Sequence, residues 1–122
     1  MYEGFKDLKV YQLSYKLSME VFQISKNFPV EEKYSLTDQV RRSSRSIPTN
    51  IAEAFRKRQY PKHFISKLSD SDAECSETLV WIDFALDCGY INNEQHSYFN
   101  QKYEEVGKML GSMIRSPEKF TL

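Results

Sequence analysis

Apolar residues recur along this chain at steps of three and four, the spacing that places side chains on one face of an α-helix. The pattern predicts four helices, over about residues 7–27, 36–58, 61–88 and 93–115. Only 4 Gly and 4 Pro occur among the 122 residues, which leaves few turns for a sheet of many strands. We therefore predict an all-α protein, an antiparallel up-down four-helix bundle that forms one domain over residues 1–122.

The first predicted helix carries two apolar stripes. One consists of Leu8, Tyr11, Tyr15, Met19 and Phe22, and the other consists of Val10, Leu13, Leu17, Val21, Ile24 and Phe28. At about 100° per residue the stripes lie on nearly opposite faces, so only one of them can enter the core of a single chain. We predict that copies of the chain contact each other through the remaining face, either Leu13, Leu17, Val21 and Ile24 or the stripe of Tyr11.

The second predicted helix contains a proline near its middle. Its apolar stripe consists of Leu36, Val40, Ser44, Ile47, Ile51 and Phe55. Pro48 lacks an amide donor and its ring crowds the carbonyl group of Ser44, which costs about 3 kcal/mol in a regular helix. We expect a kink at Pro48, with a complete break of the helix as the alternative.

The third and fourth predicted helices each bury one stripe. The third buries Phe64, Leu68, Cys75, Leu79, Ile82 and Leu86, and the fourth buries Phe99, Tyr103, Val106, Leu110 and Met113. Gly89 is placed to end the third helix, and Asn92 or Asn93 can cap the fourth. Trp81 and Phe84 fall on the outer face of the third helix, so we add them to the predicted contact between copies.

The charges cancel over the whole chain but not along it. Lys and Arg number 17, as do Asp and Glu, but residues 41–67 hold eight bases and one acid, while residues 68–105 hold nine acids and one base. The cations on and after the second helix that we predict to contact RNA phosphates are Arg41, Arg42, Arg45, Arg56, Lys57, Arg58 and Lys62. The alternative is a solvated face whose cations form salt bridges with acids of the same chain or a neighbouring copy.

Other features exclude several classes of protein. No run of about 18 apolar residues is present, so no membrane-spanning helix is predicted and we expect a cytoplasmic protein. Cys75 and Cys88 are too far apart on one helix for a disulfide, and buried thiols are the favoured interpretation. Neither His63 nor His96 follows a glutamate at the spacing of di-iron bundles, and no phosphate-binding glycine loop occurs, so we expect no metal and no cofactor.

One enzymatic alternative stays open. Arg58 and His63 have the R-x4-H spacing that resembles the active motif of the helical HEPN-type ribonucleases, in which arginine and histidine can stabilise phosphate and transfer protons. Pro61 falls between the two residues and separates two helices, and so short a spacing arises easily by chance. We therefore predict that the protein is not an enzyme.

Three short motifs resemble those of a known bacterial family. They are a Phe-Pro-x-x-Glu turn at Phe28–Glu32, a Gln-x-Arg-Arg step at Gln39–Arg42, and a Ser-Ile-Pro-x-Asn-Ile-Ala-Glu signature at Ser46–Glu53. Together with the N-terminal FKDLKVYQ they resemble the four helix bundle proteins, also called intervening-sequence proteins of the 23S ribosomal RNA genes. The chain departs from that family where Tyr11 stands in place of a usual tryptophan and Ala54 in place of a usual glycine.

The resemblance implies more than the residues themselves indicate. It implies a bundle that forms a homo-oligomer, commonly a ring of five copies. It also implies an accessory protein that binds nucleic acid beside a reverse transcriptase, and it does not imply an enzyme. A structural or adaptor oligomer that binds no nucleic acid is the alternative function.

Overall fold

A computed structural model describes residues 2–120 of the chain. Four α-helices account for most of them: α1 (Lys9–Ser25), α2 (Leu36–Arg56), α3 (Pro61–Asp87) and α4 (Asn93–Arg115). Single 3-10 turns occur at Phe5–Asp7, Val30–Glu32 and Pro117–Lys119, and residues 2–120 contain no β-strand. The prediction of an all-α four-helix fold is confirmed, while the antiparallel up-down order of the helices stays a prediction.

The core takes only one stripe of α1. Leu17 and Val21 are fully buried within the single chain, and Val10 and Phe28 are nearly so, whereas Tyr15 is 52% exposed and Met19 is 45% exposed. The prediction that Leu17 and Val21 contact another copy is therefore wrong, because their side chains have no surface left for a partner. Leu13 and Ile24, at the edge of the same stripe, are only partly buried.

Helix α2 continues through Pro48, so the complete break considered as an alternative does not occur. Hydroxyl side chains around the proline donate to carbonyl groups of the preceding turn: Ser44 to Arg41 (3.1 Å), Ser46 to Arg42 (2.9 Å) and Thr49 to Arg45 (2.8 Å). Ile47 and Ile51 are fully buried on either side of the proline. Tertiary burial therefore stabilises a helical backbone that proline alone would disfavour, and the kink stays a prediction.

Small hydroxyl residues form the contact between α2 and α3. The fully buried Ser71 donates a hydrogen bond to the carbonyl oxygen of Ile47 (2.9 Å), one residue before the proline. Seven residues on, the buried hydroxyl groups of Thr78 and Ser43 lie 2.9 Å apart. Because these side chains are short and their polar atoms are paired, the two helices can approach closely without leaving an unsatisfied group.

The ends of the later helices follow the sequence signals. Gly89 has a positive φ of 79°, the amide of Tyr90 donates to the carbonyl oxygen of Ala85 (2.8 Å), and the amide of Gly89 donates to that of Leu86 (2.9 Å). These two bonds close α3 with a Schellman motif, in which only glycine adopts the left-handed conformation without strain. Asn92 caps α4, because its side chain accepts from the amide of Gln95 at 2.8 Å.

The predicted core stripes of α3 and α4 are largely confirmed. All five residues of the α4 stripe are buried, and in α3 Leu79 and Leu86 are only partly buried, while Ser71, Thr78 and Ala85 join the core. Cys75 is buried and Cys88 is exposed. The expectation of two buried thiols is therefore wrong for Cys88, which follows the last residue of α3 and points away from the core.

Glu32 joins the two loops at one end of the bundle. One carboxylate oxygen accepts hydrogen bonds from the hydroxyl group of Ser35 (2.6 Å) and the amide of Leu36 (3.3 Å), and the other accepts from the hydroxyl group of Tyr90 (2.8 Å). The ring of Tyr90 also contacts Phe28, with centroids 5.5 Å apart. The Phe-Pro-x-x-Glu turn therefore caps α2 and ties it to the loop that follows α3.

We predict that Ser71→Leu destabilises the protein by about 2–4 kcal/mol. The added side chain overpacks the contact between α2 and α3, and the hydrogen bond to Ile47 is lost. The free energy of unfolding in urea measures the effect. Ser69→Leu, an exposed position on the same helix, serves as the control, and equal effects at the two positions would contradict the close contact.

We also predict a pH dependence that belongs to Glu32. Hydrogen bonds from Ser35 first and Tyr90 second lower the pKa of this carboxyl below its ordinary value of 4.5. A lowered pKa stabilises the fold above the ordinary value, and this contribution disappears as pH falls through the folded-state pKa. Urea unfolding from pH 7 to pH 3 should therefore show a smaller loss of stability for Glu32→Gln than for the parent. Glu31→Gln, at an exposed neighbour, should match the parent.

Candidate functional site

Two arginines of α2 point toward α1. The Nε atom of Arg41 donates to the hydroxyl group of Ser25 at 2.7 Å, and its guanidinium carbon lies 4.7 Å from the ring centroid of Phe22. The guanidinium of Arg45 lies over the same ring at 5.6 Å. Each such cation–π contact contributes about 0.5–1 kcal/mol at an exposed site. Sequence reasoning missed Phe22 as the platform for both arginines, because nothing in the spacing of residues 22 and 41 indicates contact.

A second group of cations lies at the turn between α2 and α3. Arg56, Lys57 and Lys62 are exposed there. Arg58 is held in place, since its Nη1 atom donates to the carbonyl oxygen of Phe55 at 3.0 Å and its guanidinium lies 3.9 Å from the Phe55 ring centroid. Three exposed cations and one guanidinium held by Phe55 therefore lie at this end of the bundle.

The seven predicted cations do not form one continuous face. Residues 45 and 56 are separated by about 16 Å along α2 at about 1.5 Å per residue. Arg42 is exposed and lies about 100° around the helix from Arg41, away from α1. Lys67, farther along the basic segment, forms an ion pair with Glu53 at 3.1 Å. The structure thus divides the cations into an α1-facing pair, Arg42, and the group at the turn.

None of these arginines forms an ion pair with a carboxylate within residues 2–120. The ion pairs between described residues are Lys67–Glu53, His96–Asp83, Lys102–Glu105 and Lys108–Glu104. No arginine takes part in any of them. The charges of Arg41, Arg42, Arg45, Arg56 and Arg58 therefore remain available to a partner outside the chain.

An open groove of about 410 Å³ lies between α1 and α2. Its walls are mainly aromatic and aliphatic, with one cation, and include Phe5, Tyr11, Tyr15, Met19, Arg45 and Pro48. Below we call this surface, together with Phe22 and Arg41, the α1–α2 groove. Of the residues predicted to contact another copy, Tyr11 lines this groove and is partly buried.

A surface of opposite charge lies on α3. Val80 is 48% exposed and Phe84 is 53% exposed, and the Phe84 ring packs on the partly buried Trp81 at 5.9 Å. The indole nitrogen of Trp81 donates to the Glu77 carboxylate at 3.2 Å. Glu74 and Asp70 lie one and two turns before Glu77 on the same face of α3. Burial first, and then the nearby charges of Glu77 and Asp70, raise the pKa of Glu74. We call the set Glu74, Glu77, Trp81 and Phe84 the α3 strip.

Arg58 and His63 of the R-x4-H spacing make separate contacts in this chain. The Arg58 guanidinium is occupied by the carbonyl group and ring of Phe55, as described above. His63 is exposed, and its ring contacts that of Tyr60 with centroids 6.0 Å apart. No hydrogen bond joins Arg58 to His63 among the described residues. The absence of enzymatic activity stays a prediction.

Two other kinds of feature, a metal site and a membrane-spanning helix, have no candidates among residues 2–120. Within residues 2–120, no group of three or more His, Cys, Asp or Glu side chains is arranged to hold a metal ion. In the same part of the chain no helix has the length and apolar character needed to cross a membrane.

Comparison with known proteins identifies the family. A crystal structure at 1.70 Å resolution of a protein with unknown function from the S23 ribosomal protein family of Bacteroides thetaiotaomicron VPI-5482 is 31% identical to this chain, with a TM-score of 0.78. The match covers 87% of this chain and 95% of that one. No curated protein matches the chain. The family model described as 23S rRNA-intervening sequence protein matches residues 6–112, and the chain therefore belongs to the 23S rRNA-intervening sequence protein family.

Proposed function

We propose that this protein self-assembles and binds RNA through the cations on and after α2. The observation that carries the proposal is that five arginines in this region have no carboxylate partner among residues 2–120. Arginine binds phosphate groups through parallel hydrogen bonds, and such contacts require no particular base sequence.

The turn between α2 and α3 is the part of this region best suited to single-stranded RNA. Tyr60 is 52% exposed, and His63 lies beside it on the first turn of α3. Exposed rings of this kind stack on unpaired bases, and the neighbouring Arg56, Lys57 and Lys62 can contact the phosphates on either side. The chain thus carries both kinds of contact within a short segment.

Self-assembly supports RNA binding because the turn between α2 and α3 of a single copy carries only a few cations and the chain has no net charge. Copies joined in a ring present the same turn several times, so one RNA can contact several copies at once and bind more tightly than it binds one. Several surface features agree with assembly, including the exposed Tyr15 and Met19 on α1 and Phe84 on α3. A ring of five copies is the arrangement that the family resemblance implies.

Purified protein distinguishes RNA binding from the alternative function, a structural or adaptor oligomer that binds no nucleic acid. A structural or adaptor oligomer without nucleic acid is favoured by the contacts of Arg41 and Arg45 with Phe22, which already give those guanidiniums a role inside the chain. Purified protein that carries RNA has a raised ratio of absorbance at 260 nm to absorbance at 280 nm, and nuclease or high salt lowers this ratio. An adaptor that binds no nucleic acid does not have the raised ratio. A reverse-transcriptase-like protein is the further partner that the resemblance implies.

We expect the triple variant Arg56→Ala, Lys57→Ala, Lys62→Ala to bind single-stranded RNA at least about tenfold more weakly than the parent. Three lost phosphate contacts should also reduce the slope of log K against log salt by about 2, since each contact on a single strand contributes about 0.7. Fluorescence anisotropy with a labelled RNA oligonucleotide, titrated from low to moderate salt, measures both quantities.

The matched control is Lys16→Ala, which removes an exposed lysine from α1. It should bind like the parent. Parent affinity that does not change with salt, or an equal loss in the control, would rule out phosphate contact at the turn.

A further inference from the structure

The outer surface of this molecule carries two amphipathic patches that match each other in chemistry. The α1–α2 groove combines the exposed apolar side chains of Tyr15 and Met19 with the cations Arg41 and Arg45, which form no ion pair within residues 2–120. The α3 strip combines the exposed Phe84 and the partly buried Trp81 with the carboxylates of Glu74 and Glu77, and neither carboxylate is in an ion pair with another described residue. The groove is therefore positively charged and the strip is negatively charged.

The two patches lie on opposite flanks of α2. Helix α1 packs against the flank of Arg41, whose side chain bonds Ser25, while α3 packs against the flank of Ser43, whose hydroxyl group bonds Thr78. Because α2 stands between them, the strip of one chain cannot reach the groove of the same chain. Only another molecule can cover either patch.

We propose that the α3 strip of one copy docks in the α1–α2 groove of a second copy. Trp81 and Phe84 then lie against the aromatic and methionine side chains of the groove, and the carboxylates of Glu74 and Glu77 face Arg41 and Arg45. This proposal rests on the self-assembly proposed above and specifies the two surfaces that form the contact.

The contact is head-to-tail, because it joins two different surfaces. After one pairing, each copy still has one free groove or one free strip, so association continues until a ring closes. The exposed face of α2 lies between the two contacts and is therefore presented on the same side of every copy. The cations at the turn between α2 and α3 stay outside the contact and remain free for RNA.

The raised pKa of Glu74 agrees with this arrangement. Burial comes first among its causes, followed by the neighbouring Glu77 and Asp70. No cation within residues 2–120 forms an ion pair with any of the three carboxylates. Arginines from a second copy would provide the opposite charge that this cluster lacks.

A pair of charge reversals tests the contact. Arg45→Glu puts an acid in the groove, and Glu77→Arg puts a base in the strip, so each variant alone opposes like charges and should associate at least about tenfold more weakly than the parent. In an equal mixture a reversed patch of one variant can meet the complementary patch of the other, so association should recover into species heavier than either variant forms alone. Full recovery of the parent's mass is not required, because a ring of five copies cannot alternate the two variants throughout. Analytical ultracentrifugation measures the masses against the 14.4 kDa of one chain, and circular dichroism checks that each variant is helical.

The control is Lys108→Glu, an exposed reversal on α4 that should leave the mass unchanged. A parent that is monomeric at micromolar concentration overturns the proposal. So does retention of the parent's mass by either single variant, or a mixture that does not recover.

A second pair of variants tests the same contact if a charge reversal prevents folding. Met19→Asp blocks the groove and Phe84→Asp blocks the strip, both at exposed positions. A mixture should form a species of two chains and no larger, because one intact strip meets one intact groove and the remaining surfaces are blocked. Larger species in the mixture, or none, contradict a head-to-tail contact.

This proposal and the proposed function can fail separately. If the charge reversals leave the mass unchanged while RNA affinity still follows the cations at the turn, the contact between strip and groove is wrong and RNA binding stands. If the reversals abolish assembly as expected while no RNA binds at any salt concentration, the contact stands and the protein is a structural oligomer.

Discussion

The close contact between α2 and α3 is the constraint on which the rest of the structure depends. The buried hydroxyl groups of Ser71 and Thr78 meet the backbone of Ile47 and the side chain of Ser43, so short side chains with paired polar atoms lie at this contact between the two helices. This contact and the packing of α1 hold α2 on two flanks, and Pro48 is accommodated in a continuous helix. The rotation of α2 about its own axis is thereby fixed.

The rotation of α2 about its axis decides which neighbours the cations on this helix contact. Arg41 and Arg45 are turned toward α1 and lie over the ring of Phe22, whereas Arg56 and Lys57 reach the end of the helix and stay exposed. The single basic segment of the sequence, residues 41–67, thus becomes two surfaces with different neighbours. One lies in a groove with exposed apolar side chains, and the other lies at a turn beside the exposed rings of Tyr60 and His63.

A chain without net charge can bind an anionic polymer only if its charges are separated in space. Here the acids of α3 and the bases of α2 occupy different surfaces, and the arginines form no ion pairs within the described chain. A contact between copies that consumes the acids of α3 and the groove arginines leaves the cations at the turn as the uncompensated charge. In this proposal assembly and RNA binding use different parts of the same basic segment and do not compete.

The sequence by itself determined the four helices, their ends at Gly89 and Asn92, and the core stripes of α2 and α4, because hydrophobic spacing and capping residues act over a few neighbouring positions. It also showed that α1 has two apolar faces. Only the tertiary structure decided which face is buried. Leu17 and Tyr15 each belong to a regular apolar stripe, and what packs on each of them decides that the first is buried and the second exposed. The tertiary structure likewise decided that Arg41 meets Phe22 and that Glu32 meets Tyr90, because contacts between residues distant in the chain follow from how whole helices pack and leave no periodic signal.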